Sequence, residues 1–178
     1  FLPDIENIIG QTNGNRQLLL FSATIPDKIR ALAKSYMTKP VSVTVEGAHV
    51  TLDSIEQKVF VMNEEDKLKA LVNMIKEDNT YLAIGFCNTK EGASRLSYQL
   101  VAEGLNIGEL HGDVTQGRRT QILKDFAKAR TQILVATDIA ARGIDIEGIS
   151  HVYNFDVPHD VDYYIHRIGR TGSAGTEG

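Results

Sequence analysis

Residues 81–136 read YLAIGFCNTKEGASRLSYQLVAEGLNIGELHGDVTQGRRTQILKDFAKARTQILVA, and this stretch decides the fold. Tyr81–Phe86 is a short apolar run of strand length. Lys90–Glu103 then sets Leu96, Leu100 and Val101 at helical spacing, and Ile107–Leu110 returns to strand. Thr115–Ala129 is helical again, with Ile122, Leu123 and Phe126 inward, and Gln132–Ala136 is a third strand. Strands alternating with helices of about 10–15 residues predict βαβ units. The expected fold is α/β, a parallel sheet with helices on both faces and right-handed crossovers. Ligands of such sheets gather in loops at the carboxyl ends of the strands.

The pattern continues on both sides. Glu65–Lys76 is a helix with Leu68, Leu71, Val72 and Ile75 inward; His151–Phe155 is a strand, and Val161–Ile168 a last helix. Upstream, Ile55–Val61, Val41–Val45 and Gln17–Phe21 read as strands. Leu2, Ile5, Ile8 and Ile9 mark one helix, and Pro26-Asp27 opens another. Residues 47–54 hold Gly47, show no periodicity and form the linker between two structured runs. The chain starts at Phe1 and ends in the loop-like Gly172–Gly178, which predicts a piece of a longer protein.

Composition narrows the classes. Of 178 residues, 42% are hydrophobic and 24% charged with a net charge of −4, which argues for a folded domain rather than disorder. No apolar stretch approaches the roughly 18 residues of a spanning helix. The single cysteine, Cys87, rules out an intrachain disulfide framework and a multi-cysteine zinc site and fits a reducing, cytoplasmic setting. A pI near 5.7 excludes a generic polycation, so nucleic-acid binding requires a local arrangement of basic groups.

The strand ends supply candidates, each with a plain structural alternative. Ser22-Ala23-Thr24 is compatible with an ordinary helix cap. Cys87-Asn88-Thr89-Lys90 could position a phosphate at a helix N-terminus or simply cap it. In His111-Gly112-Asp113 the glycine permits close approach of a backbone, and Gln116, Arg118, Arg119, Lys124 and Lys128 follow. Lys124 and Lys128 read best as a solvated helix face. Thr137-Asp138 leads to Arg142-Gly143-Ile144-Asp145, where Asp145 could hold a ribose or pair with Arg142. Arg167 and Arg170 lie three apart, on one helical face, and two guanidiniums form a fork for a polyphosphate. No Gly-x-x-x-x-Gly-Lys-Ser/Thr loop occurs, and the five histidines show no zinc-ligand spacing.

In order and spacing, five of these segments resemble the DEAD-box family of ATP-dependent RNA helicases. They are Ser22-Ala23-Thr24; Phe86-Cys87-Asn88-Thr89; Gln116 with Arg119; Ala136-Thr137-Asp138 through Arg142-Gly143-Ile144-Asp145; and His166-Arg167-Ile168-Gly169-Arg170-Thr171-Gly172. The last two are long and specific. The resemblance implies two RecA-like domains. Residues 1–46 would be the C-terminal remnant of the first, and residues 55–178 an incomplete second. The nucleotide loop, and most ligands for ATP and Mg²⁺, would precede Phe1.

By the same resemblance, Arg167 and Arg170 reach the γ-phosphate as catalytic groups, and Asp145 and Gly143 belong to the ATP site. Ser22, Thr24, Asp138 and His166 couple the domains. Asn88, Thr89, Gly112, Gln116, Arg119 and Thr137 grip the RNA sugar-phosphate without reading sequence. The implied partners are RNA, ATP and the first RecA-like domain, without a membrane, and the chain alone should be inactive. The family usually has a third arginine after the Thr-Gly of its last motif. Ser173 stands there, which leaves Arg167 and Arg170 intact but bears on interdomain coupling. The alternatives are a non-catalytic RNA-binding or regulatory module of this fold and a DNA-directed helicase of the wider superfamily. Two arginines together with Asp145 favour the enzyme, because a pure binder needs no γ-phosphate fork.

Overall fold

A computed structural model describes residues 2–22, 25, 27–44, 55–78, 80–144 and 146–172. The chain divides into two compact units, Phe1–Glu46 and Gly47–Gly178.

The first unit contains helices α1 (Leu2–Gln11) and α2 (Asp27–Tyr36). Arg16 donates to the carbonyls of Thr12 and Asn13, where a cation offsets the negative end of α1. A side-chain hydrogen bond joins Tyr36 of α2 to Glu6 of α1. No residue of α1 is buried.

The second unit carries the sheet. Its described elements are α3 (Lys67–Glu77), β1 (Ala83–Cys87), α4 (Lys90–Ala102), β2 (Ile107–Leu110), α5 (Gln116–Ala127), β3 (Ile133–Thr137), α6 (Asp138–Ala141), β4 (His151–Asn154) and α7 (Val161–Ile168). A single 3₁₀ turn, Glu64–Asp66, leads into α3. The four strands stand in the order β2-β3-β1-β4, every pair parallel.

Period-two alternation explains the two cores. In β1, Ala83 and Cys87 face one side, with Ile133 and Val135 of β3, and pack against Leu71 of α3 and Leu96 of α4. Ile84 and Phe86 face the other, with Leu134 of β3, and pack against Ile122 and Phe126 of α5. Both faces of the central strands β1 and β3 are therefore covered, which is why these two read as apolar runs. Gly108 of β2 is closely packed: a Cβ there would lie 3.1 Å from Ile122 and 3.2 Å from Thr131, and those side chains would have to give by a few tenths of an ångström.

The expected α/β sheet is present, with two differences. Residues 17–21, 41–44 and 55–61 join no sheet, and Val41, Val59 and Val61 are 86%, 89% and 98% exposed. β-branched composition fits a strand but does not make one, since a strand exists only where a neighbour supplies the ladder. The short helix α6 is absent from the sequence reading because four residues are too few to show a period.

Phe126 is fully buried beneath the sheet. Phe126→Ala should cost about 3–5 kcal/mol by urea unfolding. A loss below about 1 kcal/mol would contradict the packing described.

Candidate functional site

The carboxyl ends of β1, β3 and β4 converge on one side chain, Arg167 of α7, which is 1% exposed. Nε and Nη2 form a bidentate pair with Asp138, at 2.6 and 2.7 Å. Nη1 donates to Asn154 Oδ1 at 3.1 Å and to the Asp156 carbonyl at 2.6 Å. Nη2 also donates to Asn88 Oδ1 at 2.8 Å. The guanidinium lies 5.0 Å from the centre of the Phe86 ring. A guanidinium has five N–H donors, and all five are engaged.

The surrounding groups are fixed in turn. Asp156 Oδ2 accepts from the Asn88 backbone N–H at 3.0 Å, and its other oxygen faces Lys67 at 3.8 Å. Asn88 Nδ2 donates to the Val157 carbonyl at 2.9 Å and lies 3.4 Å from His159 Nε2. Asp160 caps α7 by accepting from Asp162 N at 2.7 Å, and Thr89 caps α4 by accepting from Gly92 N at 3.0 Å.

This geometry bears on three expectations. Arg167, expected at the γ-phosphate, has all its donors engaged within the fold and holds α7 onto the sheet. Asp138, expected to couple domains directly, has both oxygens on Arg167. Asn88, expected to grip RNA, has its side-chain oxygen and amide nitrogen engaged inside the fold. Sequence reading also missed Asn154 and Asp156. Their one signal was position, at and just after the end of β4.

Arg170 differs. Its Nε and Nη1 donate to the backbone carbonyls of His166 and Ile144, at 3.2 and 2.6 Å. Among the described residues no carboxylate pairs with it. It lines a shallow pocket with Phe86, Arg142, Tyr163 and His166. Arg142 lies 5.8 Å over the Tyr163 ring. The acid at this pocket, Asp138, is neutralised by Arg167, so the wall is cationic and suits a phosphate. Gly143, beside it, has a φ of +72°, which favours glycine. Asp145 and Thr24 lie outside the described residues, as does Ser173; Ser22 is exposed in the first unit.

The remaining candidates spread along the rim formed by the loops after β2, β3 and β1. Gly112 is exposed with open space around its Cα, and Gln116 opens α5. Arg119 is half-buried one turn further on, and Thr137 precedes α6. Lys90 pairs with Asp113 at 2.8 Å. Cys87 is no nucleophile: burial, then the nearby Asp156 charge, pushes its thiol up to about 12. Among the described residues no three His, Cys, Asp or Glu side chains group to hold a metal ion.

Breaking a buried ion pair leaves one charge stranded. Arg167→Ala should therefore cost about 3–5 kcal/mol in urea unfolding. Arg167→Ala with Asp138→Ala should cost less than the two single losses summed. Additive losses would contradict the pair. The Lys90 hydrogen bond and charge hold the Asp113 carboxyl below its usual range. A depressed acid stabilises the fold above its unfolded value, and that contribution disappears as pH falls through the folded value. Carboxyl NMR should find the Asp113 midpoint below that of an isolated aspartate. Lys90→Met should raise it.

Residues 66–175 match the family described as the helicase conserved C-terminal domain. Over all 178 residues the chain is 43% identical to an ATP-dependent RNA helicase CshA of Limosilactobacillus reuteri, spanning 36% of that protein. It is 43% identical to an ATP-dependent RNA helicase RhlB of Pseudomonas syringae, spanning 45% of it. The chain thus covers less than half the length of these curated relatives. Among solved structures, the C-terminal domain of the DEAD-box protein Dbp5 is 37% identical at a TM-score of 0.66, over 72% of this chain and 75% of that one. S. cerevisiae Dbp5 bound to RNA and ADP BeF3 is 33% identical at a TM-score of 0.86, over 99% of this chain and 47% of that one. Identity at this level makes the chain a member of the DEAD-box helicases, bearing their conserved C-terminal domain.

Proposed function

We propose that the chain is the C-terminal part of an ATP-dependent RNA helicase, an enzyme that couples ATP binding and hydrolysis to duplex unwinding or RNP remodelling. The observation that carries this reading is Arg170, in a cationic wall whose acid is already neutralised by Arg167. Phosphoryl transfer depends mainly on positioning and charge neutralisation, and a guanidinium delivered from a second domain is worth about 10³–10⁵ in rate. Arg170 has donors to spare for that role and Arg167 does not. Tied to the sheet by Arg167, α7 presents Arg170 at a fixed place, so no reorganisation is needed when charge develops.

In this reading residues 1–46 are the end of a first RecA-like domain, residues 47–54 a linker and residues 55–178 the second domain. The nucleotide loop belongs to the first domain, which agrees with the share of the curated relatives that the chain covers. The chain alone is then inactive. Ser22, Thr24 and His166 couple the domains, and Asp145 and Gly143 complete the ATP site. Mg²⁺ draws its protein ligands from outside the described residues, which offer no acidic cluster for it. Thr89, Gly112, Gln116, Arg119 and Thr137 face RNA sugar-phosphate, a contact that positions without reading sequence. Domain closure joins this rim to the first domain's, so ATP state and RNA shape become one equilibrium. A cytoplasmic setting, where thiols stay reduced, matches the free Cys87.

The test is RNA-stimulated ATP hydrolysis by the full-length protein. Arg170→Ala should lower it about 10³-fold and change unfolding free energy by less than about 1 kcal/mol. An unchanged rate would sink the assignment.

A further inference from the structure

Ser94 of α4, Glu109 of β2 and His111, just beyond β2, form a hydrogen-bonded cluster at the edge of the sheet. The Ser94 hydroxyl and His111 Nε2 each lie 2.6 Å from the same oxygen, Glu109 Oε1. On the other side of the ring, His111 Nδ1 lies 3.2 Å from the Asp113 backbone nitrogen. A backbone N–H only donates, so Nδ1 accepts, and the neutral ring carries its hydrogen on Nε2, aimed at Glu109. The cluster is no nucleophilic triad: the ring nitrogen facing Ser94, 3.3 Å away, bears a hydrogen and has no lone pair to take a proton.

The cluster instead fastens the loop of residues 111–115. The His111 side chain is 11% exposed, held by β2 and α4. Val114 N donates to the His111 carbonyl at 3.1 Å and closes the turn. Asp113 is tied back to Lys90, the first residue of α4. Between these fixings stands Gly112, open to solvent, and directly after them α5 begins with Gln116 and Arg119 in its first turns.

We infer that His111 is the positioning residue of this loop, holding Gly112 and the start of α5 in register for RNA through a neutral ring braced by Glu109 and Ser94. The inference rests on the RNA-binding reading above. It has a chemical consequence that mere packing lacks. Protonation places a hydrogen on Nδ1, where the Asp113 N–H already points, so the loop loses its bond while Glu109 grips the ring harder. The charged groups facing the ring are Glu109 of β2, Asp113 of its own loop and, through Asp113, Lys90 of α4.

The test measures binding of a labelled single-stranded RNA by the full-length protein, from about pH 8 to about pH 5. The unaltered protein should weaken on acidification. His111→Ala should weaken binding roughly 3–10-fold at the alkaline end, as loss of one ordering hydrogen bond implies. His111→Asn offers an oxygen to the Asp113 N–H in an Asx turn and does not titrate. It should bind as the unaltered protein does at the alkaline end and lose the weakening that His111 contributes in acid. Adding Glu109→Ala to His111→Ala should cost nothing further. An alanine variant that binds undiminished, or an asparagine variant with the full acid response, overturns the inference. Failure of the unaltered protein to bind RNA overturns the RNA reading instead. The two failures are told apart by NMR of the Asp113 amide, which reports the ring's hold on the loop without RNA.

Discussion

The Arg167 guanidinium holds three strand ends together, and the rest of the site depends on it. Asn88 follows β1, Asp138 follows β3, and Asn154 and Asp156 end and follow β4. Each supplies an acceptor to a guanidinium that is itself 1% exposed. A charge this deeply buried is tolerated only because a carboxylate pairs with it and every N–H finds an oxygen. The planar fork matters as much as the charge: an ammonium could neutralise Asp138, but its three N–H groups could not serve all five acceptors. The loops are thus set by one rigid group rather than by their own lengths.

The pair also sets the electrostatics of the neighbouring pocket. With Asp138 neutralised, Arg142, His166 and Arg170 line a wall with no unpaired acid among the described residues. Arg170 is steadied through backbone carbonyls, which fix its direction without cancelling its charge. In the proposed function one arginine organises and the other acts, although only two residues separate them on the same chain. The division follows from burial: α7 turns Arg167 into the sheet and leaves Arg170 at the pocket.

Along the β2 side of the rim a similar economy holds. A histidine ring bridges a carboxylate on the strand and a backbone N–H in the loop, while Lys90 anchors the loop's acid. Exposed groups on this rim, among them Gly112 and Gln116, are presented by partners that are themselves half-buried. Precise presentation of a flexible loop requires such bracing, since an exposed turn alone has little to hold it.

The sequence shows the alternation of strands and helices in residues 81–168, because buried strands and amphipathic helices leave distinct patterns. It also shows the family, because five motifs agree in order and spacing. It located Arg167, Arg170, Asp138 and Asn88, but not what each does. Residues 17–21, 41–44 and 55–61 have strand composition yet join no sheet, since pairing depends on a neighbour that composition does not specify. Asn154 and Asp156 carried no motif, and Arg167 looked equivalent to Arg170. The surroundings of the two arginines differ only once the chain is folded. A guanidinium's role depends on which acceptors surround it, and those come from loops 11 to 79 residues away in the chain.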